Sequence, residues 1–440
     1  MSYTERLVAR QNELGRPIRV GLVGAGQMGI GFIAQVGRIA GMQISAVADV
    51  LPGRAAEALR QTGATAETGT DLAELGRAVE AGGSVAVEDA ALLTALPVDI
   101  IVDASGVPEV GAQIAFNGLL AGKDIALLNV ECDVTIGYLL SSIAKQTGRI
   151  YSVCRGDEPA EAKRLVEFAR DLAFEVVCAG KGKNNPLNPH ATPADLTEEA
   201  KSKGMNPKML CSFVDGSKAM IEMASLANTT GLEVSKRGMY GPPSSVEKLS
   251  NTFRPAAEGG VLDRVGVVDY CTGDVAPGVF AIVRTSDPIV AEEMSYLKMG
   301  PGPYFTLYRP YHLASIEAPL TIAEAILDRV PSLAPTHWNA EVVAGAKRPL
   351  KAGDTIDGIG GTTVYGVIES ATATKEQNLV PLGLLDGATL LRDVPVDGII
   401  TADDVKLRPG TTIEALRQLQ DKLLAGVPLP ITIAGNANVA

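Results

Sequence analysis

"IRVGLVGAGQMGIG", Ile18 to Gly31, is the stretch on which the fold turns. An apolar run of strand length ends in a glycine turn and opens a helix. Gly24, Gly26 and Gly29 form G-x-G-x-x-G in the order strand, turn, helix, which is the context that gives the pattern meaning. Gly24 permits the tight turn, Gly26 lets a pyrophosphate approach the backbone, and Gly29 lets helix and strand pack closely. Gln27 and Met28 begin the helix, whose N-terminus faces the phosphates.

Reading outward, "MQISAVADV" is a second strand that ends in Asp49. An acid there suits the ribose of a dinucleotide and repels a 2′-phosphate. Arg54, just downstream, offsets that repulsion, so the choice between NAD and NADP stays open. The bland alternative for Asp49 is a surface turn residue. "VDIIVDASG", "AGKDIALLNVE" and "GRIYSVCRGDEP" repeat the pattern of an apolar strand ending in small or polar residues. Strands alternating with helices predict a doubly wound parallel sheet. Ser105 and Gly106 then border the nicotinamide side, and Asn129 and Glu131 share the carboxyl edge where such sheets bind ligands.

The bulk properties agree. The chain has 440 residues, 46% hydrophobic, with a net charge of −12. At about 150 residues per domain this is a multidomain chain. The acidic balance argues against nucleic acid and against a basic membrane face. No run reaches the roughly 18 apolar residues of a membrane span. The N-terminal "MSYTERLVARQNELGRP" is a polar amphipathic helix with no secretory core, so a cytoplasmic protein is expected. The 5 cysteines are widely spaced and read as reduced thiols.

Beyond the first domain, expected at 1–155, the pattern changes to a mixed α+β substrate domain at 156–335, and then to a small β-rich module at 336–440. Three segments of the second domain carry candidate chemistry. "CRGDEP" places Arg155, Gly156, Asp157 and Glu158 between a strand and a helix, with the Arg155 fork available to an oxyanion. "CAGKGKNNPLNPHATP", Cys178 to Pro193, reads as a loop crowded with Gly, Asn and Pro. In an extended run Lys181 and Lys183 point the same way, and Asn184 and Asn185 add uncharged donors. On the helix expected to start from Asp215, Lys218, Glu222, Ser225 and Thr229 form one polar stripe. Lys218 is a candidate proton donor and Glu222 an acid/base; a solvated Lys–Glu face is the bland reading. His312 reads as structural. Glu131, Asp157, Glu158 and Glu222 could hold a divalent ion such as Mg²⁺ or Mn²⁺, although no spacing identifies a metal site.

These segments together resemble the homoserine-dehydrogenase-like oxidoreductases. The C-terminal "AKRPLKAGDTI" and "LVPLGLLDGATLLRDVPVDGIITADDVKL" resemble an SAF domain, the antifreeze-like module. The combination is similar to the deoxyxylulose phosphate reductoisomerase-like enzymes. The resemblance implies NADP(H)-dependent conversion of 1-deoxy-D-xylulose 5-phosphate to 2-C-methyl-D-erythritol 4-phosphate in isoprenoid precursor synthesis. It also implies a homodimer and sensitivity to fosmidomycin. Under it, Lys181, Lys183, Lys218, Glu222 and Glu131 carry the chemistry. Arg155, Gly156, Asp157, Glu158, Asn184, Asn185 and Ser225 hold the phosphorylated sugar. Other readings are a homoserine dehydrogenase, an NAD(P)-dependent sugar-acid oxidoreductase or oxidoisomerase on the same scaffold, and a nucleotide-binding regulatory protein without turnover.

Overall fold

A computed structural model describes residues 1–427. The final stretch of the expected C-terminal module, 428–440, lies outside the described residues. Strands β1 (Ile18–Val23), β2 (Met42–Ala48), β3 (Ala66–Thr68), β4 (Ser84–Val87), β5 (Ile100–Asp103), β6 (Asp124–Leu127) and β7 (Tyr151–Val153) form one sheet in the order β3-β4-β2-β1-β5-β6-β7. Every pairing in it is parallel. The strand order reverses at β1, between β2 and β5, and that reversal opens a crevice at the carboxyl ends.

The glycine turn sits at this crevice and is tightly built. Gly24 has φ +94°, and a side chain there would meet the Ala104 carbonyl oxygen at 2.8 Å. A Cβ on Gly29 would lie 2.1 Å from the Gly24 carbonyl oxygen. A Cβ on Gly26, by contrast, would meet only the Arg54 guanidinium, at 3.5 Å. The turn is therefore closed toward the protein and open toward the ligand groove.

The second sheet contains β8 (Glu175–Lys183), β9 (Glu233–Val234), β10 (Pro243–Ser244), β11 (Val267–Gly273), β12 (Val279–Arg284) and β13 (Tyr304–Arg309). β8 lies in its middle, parallel to β11 and antiparallel to β12. This corrects the loop reading of Cys178–Lys183. The glycines mark close approach of a neighbouring strand, not a turn. A Cβ on Gly180 would lie 1.8 Å from the carbonyl oxygen of Asp269 on β11. Strand geometry puts Lys181 and Lys183 on one face, as the alternation suggested.

The helices Glu158–Asp171 and Ser217–Thr230 pack on that face. The second starts one residue after its cap, Gly216, rather than at Asp215, which accepts the Ser217 N–H. The helix Ala314–Ala323 returns to pack on the Gln27–Val36 helix of the first sheet.

The C-terminal part is not a detached β module. Its hairpin, β14 (Ala340–Ala346) and β15 (Val364–Ser370), packs on the Ser217–Thr230 helix. Its last described helix, Thr412–Leu424, packs on the helices Pro108–Leu120 and Val130–Thr147 of the first sheet. One buried apolar cluster includes Val130, Met223, Leu226, Val342, Ile368 and Leu390, so a truncation before Val342 would expose core. No helix among the described residues is long and apolar enough to cross a membrane.

Gly180→Ala tests the squeezed centre of the second sheet. Overpacking at this contact should lower stability by about 3 kcal/mol, read by urea denaturation. A variant as stable as the parent would mean that β8 and β11 are not held this close.

Candidate functional site

Two cavities meet above the carboxyl edge of the parallel sheet. The first, of about 410 Å³, is lined by Asp157, Glu158, Lys181, Lys183, Asn184, Asn185, Lys218, Glu222 and His312, among others. The second, of about 370 Å³, runs from Ser105 and Gly106 toward the C-terminal part. Met28, Leu128, Phe213 and Lys218 line both.

The first cavity is built around Lys181, whose ammonium is buried. It donates to Glu158 Oε1 at 2.6 Å and to Glu222, so β8 is tied to both helices that cover it. Burial pulls its pKa down, but the two carboxylates outweigh burial and hold it above the usual lysine value. Lys218 donates to Glu131 Oε1 at 2.9 Å rather than pairing with Glu222 along its own helix. Burial is opposed there by Glu131 and Asp157, and Lys218 also stays charged. Lys183 differs. Its Nζ donates to the Asn185 carbonyl at 2.7 Å, and burial together with the Lys181 charge lowers its pKa to about 8.

The carboxyl groups diverge in the same way. Burial, the largest effect, pushes Asp157 well above the usual carboxylate range; Lys218 opposes this, and Glu158 and Glu222 add to it. Glu158 is also penalised by burial, yet Lys181 and His312 hold it below its usual value. His312 faces Glu158 through Nε2 at 3.2 Å and the Gly156 carbonyl through Nδ1 at 3.1 Å. Burial thus favours the neutral form of Asp157, in the same cavity as an amine, Lys183, whose pKa is lowered to about 8. Environments that push titrating groups apart in this way are how one site runs both acid and base steps.

Several expected residues lie elsewhere. Arg155 is locked by Glu161 at 2.7 Å and Glu324 at 2.9 Å, so its fork is saturated and does not line the cavity. Gly156 packs against the Leu313 carbonyl and Glu317, where a Cβ would lie 2.7 Å from that oxygen, and its N–H donates to Glu161. Ser225 donates to Asp133 at 2.7 Å inside the core. Asn129 caps the Val130–Thr147 helix, and its amide donates to Asp103 and to the Val107 carbonyl. It steadies the Ser105–Gly106 loop rather than pointing at a ligand. Asp49 is partly turned inward too, accepting the Ala25 and Leu51 N–H groups at 2.8 and 3.0 Å. Arg54, half-exposed, stands 3.8 Å from it beside the groove, and Gln27 is exposed at the helix start. The sequence reading missed His312 and Phe213 as cavity residues. Their placement depends on chain crossings that leave no local pattern.

Asp157, Glu158 and Glu222 present oxygens within 4.8 Å of one another, the spread a divalent ion needs. The donor set does not fit one as it stands. The Lys181 ammonium already bridges Glu158 and Glu222, and burial favours the neutral form of Asp157.

Residues 156–318 match the family model described as "Oxidoreductase DRL, catalytic domain". A probable dehydrogenase from Thermotoga maritima is similar in structure at 16% identity and TM-score 0.41, over 72% of this chain and 90% of that one. Scyllo-inositol dehydrogenase from Lactobacillus casei, solved with NAD(H) and scyllo-inositol, is similar at 15% identity and TM-score 0.37, over 67% of this chain and 76% of that one. A myo-inositol dehydrogenase from Corynebacterium glutamicum is similar at 13% identity and TM-score 0.34, over 68% and 69%. Comparison with curated proteins gives no match. The family match supports an oxidoreductase.

The expected reductoisomerase reaction on 1-deoxy-D-xylulose 5-phosphate does not hold up, and fosmidomycin sensitivity falls with it. The matched family is described as an oxidoreductase. The Arg155 fork expected to meet the phosphorylated sugar is also already engaged, with Glu161 and Glu324.

Lys181→Met should cost about 3–5 kcal/mol of stability, because it strands Glu158 and Glu222 as buried charges. Lys183→Met, with only a backbone acceptor to lose, should cost far less. Equal denaturation midpoints for the two variants would refute the arrangement. Chelation with EDTA should leave turnover unchanged; loss of activity restored by Mg²⁺ or Mn²⁺ would reverse the reading of the carboxylate trio.

Proposed function

We propose that the protein is a nicotinamide-dependent oxidoreductase that interconverts a carbinol and a carbonyl in a small polyhydroxylated substrate, a sugar or sugar acid. The observation that carries this is the buried lysine–carboxylate network of the first cavity, placed beside the carboxyl edge of a dinucleotide-type sheet. A cavity of about 410 Å³ suits a small ligand, and its polar groups converge on one region. The supports for a nicotinamide cofactor are the glycine turn, closed toward the protein and open toward the groove, and the crevice at the strand-order reversal.

In the oxidative direction the substrate hydroxyl gives its proton to Lys183 Nζ. The bound nicotinamide supplies the hydride acceptor. Lys181 and Lys218 stay charged and hold the negative charge that develops on the substrate oxygen, in a site shielded from water. Asn184 and Asn185 orient the neighbouring hydroxyls, and His312 with Glu158 fixes the far wall. In the reductive direction protonated Lys183 returns the proton. Asp157 is the second proton store, placed next to Lys218.

The test is turnover with NAD⁺ and NADP⁺ across polyols, aldonic acids and their phosphate esters. Reduction of the nicotinamide by an unphosphorylated polyol or sugar acid is expected. Cofactor binding with no turnover of any member would count against an enzyme of this class.

Two predictions follow from the geometry. Neutral Lys183 is the working base, and its folded pKa lies below the ordinary lysine value. Oxidative kcat should therefore rise as pH rises through about 8 and fall away below it. Lys183→Arg should flatten that limb and lower the rate by roughly 100-fold or more; an unshifted limb would exclude Lys183. Arg54→Ala should lower use of NADP(H) relative to NAD(H), since a 2′-phosphate would lose its nearest cation and meet Asp49 alone. An unchanged ratio of kcat/KM values would place the adenosine ribose elsewhere.

A further inference from the structure

The second cavity has two unlike walls. One consists of Met28, Ala104 to Gly106 and Leu128, at or just beyond the carboxyl ends of β1, β5 and β6. On a doubly wound sheet this edge receives the nicotinamide half of a dinucleotide. The other wall comes from the C-terminal part: Gly358, Ile359, Leu382 to Leu384, Arg408 and Ile413. This wall is fixed in place. Both carboxylate oxygens of Glu109 accept backbone N–H groups of Thr412 and Ile413, at 2.8 and 2.9 Å, which binds the C-terminal helix to the first turn of the Pro108–Leu120 helix that follows β5. Lys347, almost fully buried, pairs with Asp215 at 2.8 Å and donates to the Ala191 and Gly361 carbonyls, each at 2.7 Å. That staples the C-terminal part to the element just before the Lys218 helix.

We propose that the C-terminal part is the outer wall of the dinucleotide site, with Arg408 binding the phosphate or ribose of the nicotinamide half. The inference rests on the oxidoreductase reading and adds residues to it that neither the glycine motif nor the matched segment contains. The chemistry of the wall fits such a ligand. Ile359, Leu382 and Leu384 offer an apolar face to a flat ring. Arg408 is exposed and makes no hydrogen bond or ion pair to another side chain among the described residues, so its guanidinium is free for an anionic or hydroxylated group. The compartment also opens directly onto the substrate cavity at Met28, Leu128, Phe213 and Lys218. A ring seated at that junction has the lysine–carboxylate network on its far side.

Calorimetric titration of the full chain with NADH, reduced nicotinamide mononucleotide and adenosine 5′-monophosphate separates the halves of the cofactor. Arg408→Ala should weaken the mononucleotide and NADH by about tenfold or more and leave adenosine 5′-monophosphate unchanged. Ile359→Trp, which fills the compartment from the C-terminal side, should weaken the same two ligands by a separate route. Unchanged mononucleotide affinity in both variants overturns the proposal, as does an equal loss for adenosine 5′-monophosphate. A parent protein that binds none of the three ligands would instead sink the oxidoreductase reading itself.

Discussion

The Ser217–Thr230 helix is buried along nearly its whole length, yet it carries Ser217, Lys218, Glu222, Ser225 and Asn228. A buried polar group without a partner is costly, and a buried charge more so. Each of these side chains must therefore meet another element, and together the five reach four of them. Ser217 accepts the Gly366 N–H of β15, Lys218 reaches Glu131, Glu222 takes Lys181 from β8, Ser225 reaches Asp133, and Asn228 brackets Ala340 at the start of β14. The helix is held in both rotation and translation by obligatory contacts. The candidate site inherits that precision, because Lys218 and Glu222 cannot turn away without stranding a charge.

This explains why the polar stripe was visible in the sequence while its meaning was not. Spacing showed that Lys218, Glu222, Ser225 and Thr229 share a face. It could not show that the face is buried, because the acids and strands that cover it lie far away in the chain. The first sheet was easier to read. Its signals are short-range: an apolar strand, a glycine turn, a helix start. β8 was misread for the opposite reason. Alternating Gly and Lys looks like a loop until Asp269 on β11 and the carboxylates of Glu158 and Glu222 are in place. Arg155 was credited to a ligand because its partners Glu161 and Glu324 were not both within reach of a local pattern.

The C-terminal part teaches the same lesson from the other side. Its short strands and glycine turns were legible as β-rich structure. Its position was not, because docking onto Glu109 and Asp215 is decided by one carboxylate capping a helix start and one lysine buried at a junction. Both join segments far apart in sequence. They turn an apparent appendage into part of the cavity wall.

The network also has an electrical consequence for hydride chemistry. The titrating groups around the cavity are Glu131, Asp157, Glu158 and Glu222 against Lys181, Lys183 and Lys218; burial raises the pKa of Asp157 and of Glu222 and lowers that of Lys183. When Lys183 has given up its proton, the carboxyl groups outnumber the ammonium groups. A nicotinamide that gains positive charge on giving up hydride would therefore enter a region biased in its favour, and buried charges are only weakly screened. The bias reaches it mainly through Glu131, the only one of these carboxylates that lines the second cavity. Lys218 lies between that carboxylate and Asp157, so it transmits a change on either side to the other. A proton taken up by Lys183 has the opposite effect: it cancels the excess and weakens the hold on an oxidised ring. Proton release from the substrate and the charge on the cofactor are thus coupled through the same buried lysines, without any part of the site having to move.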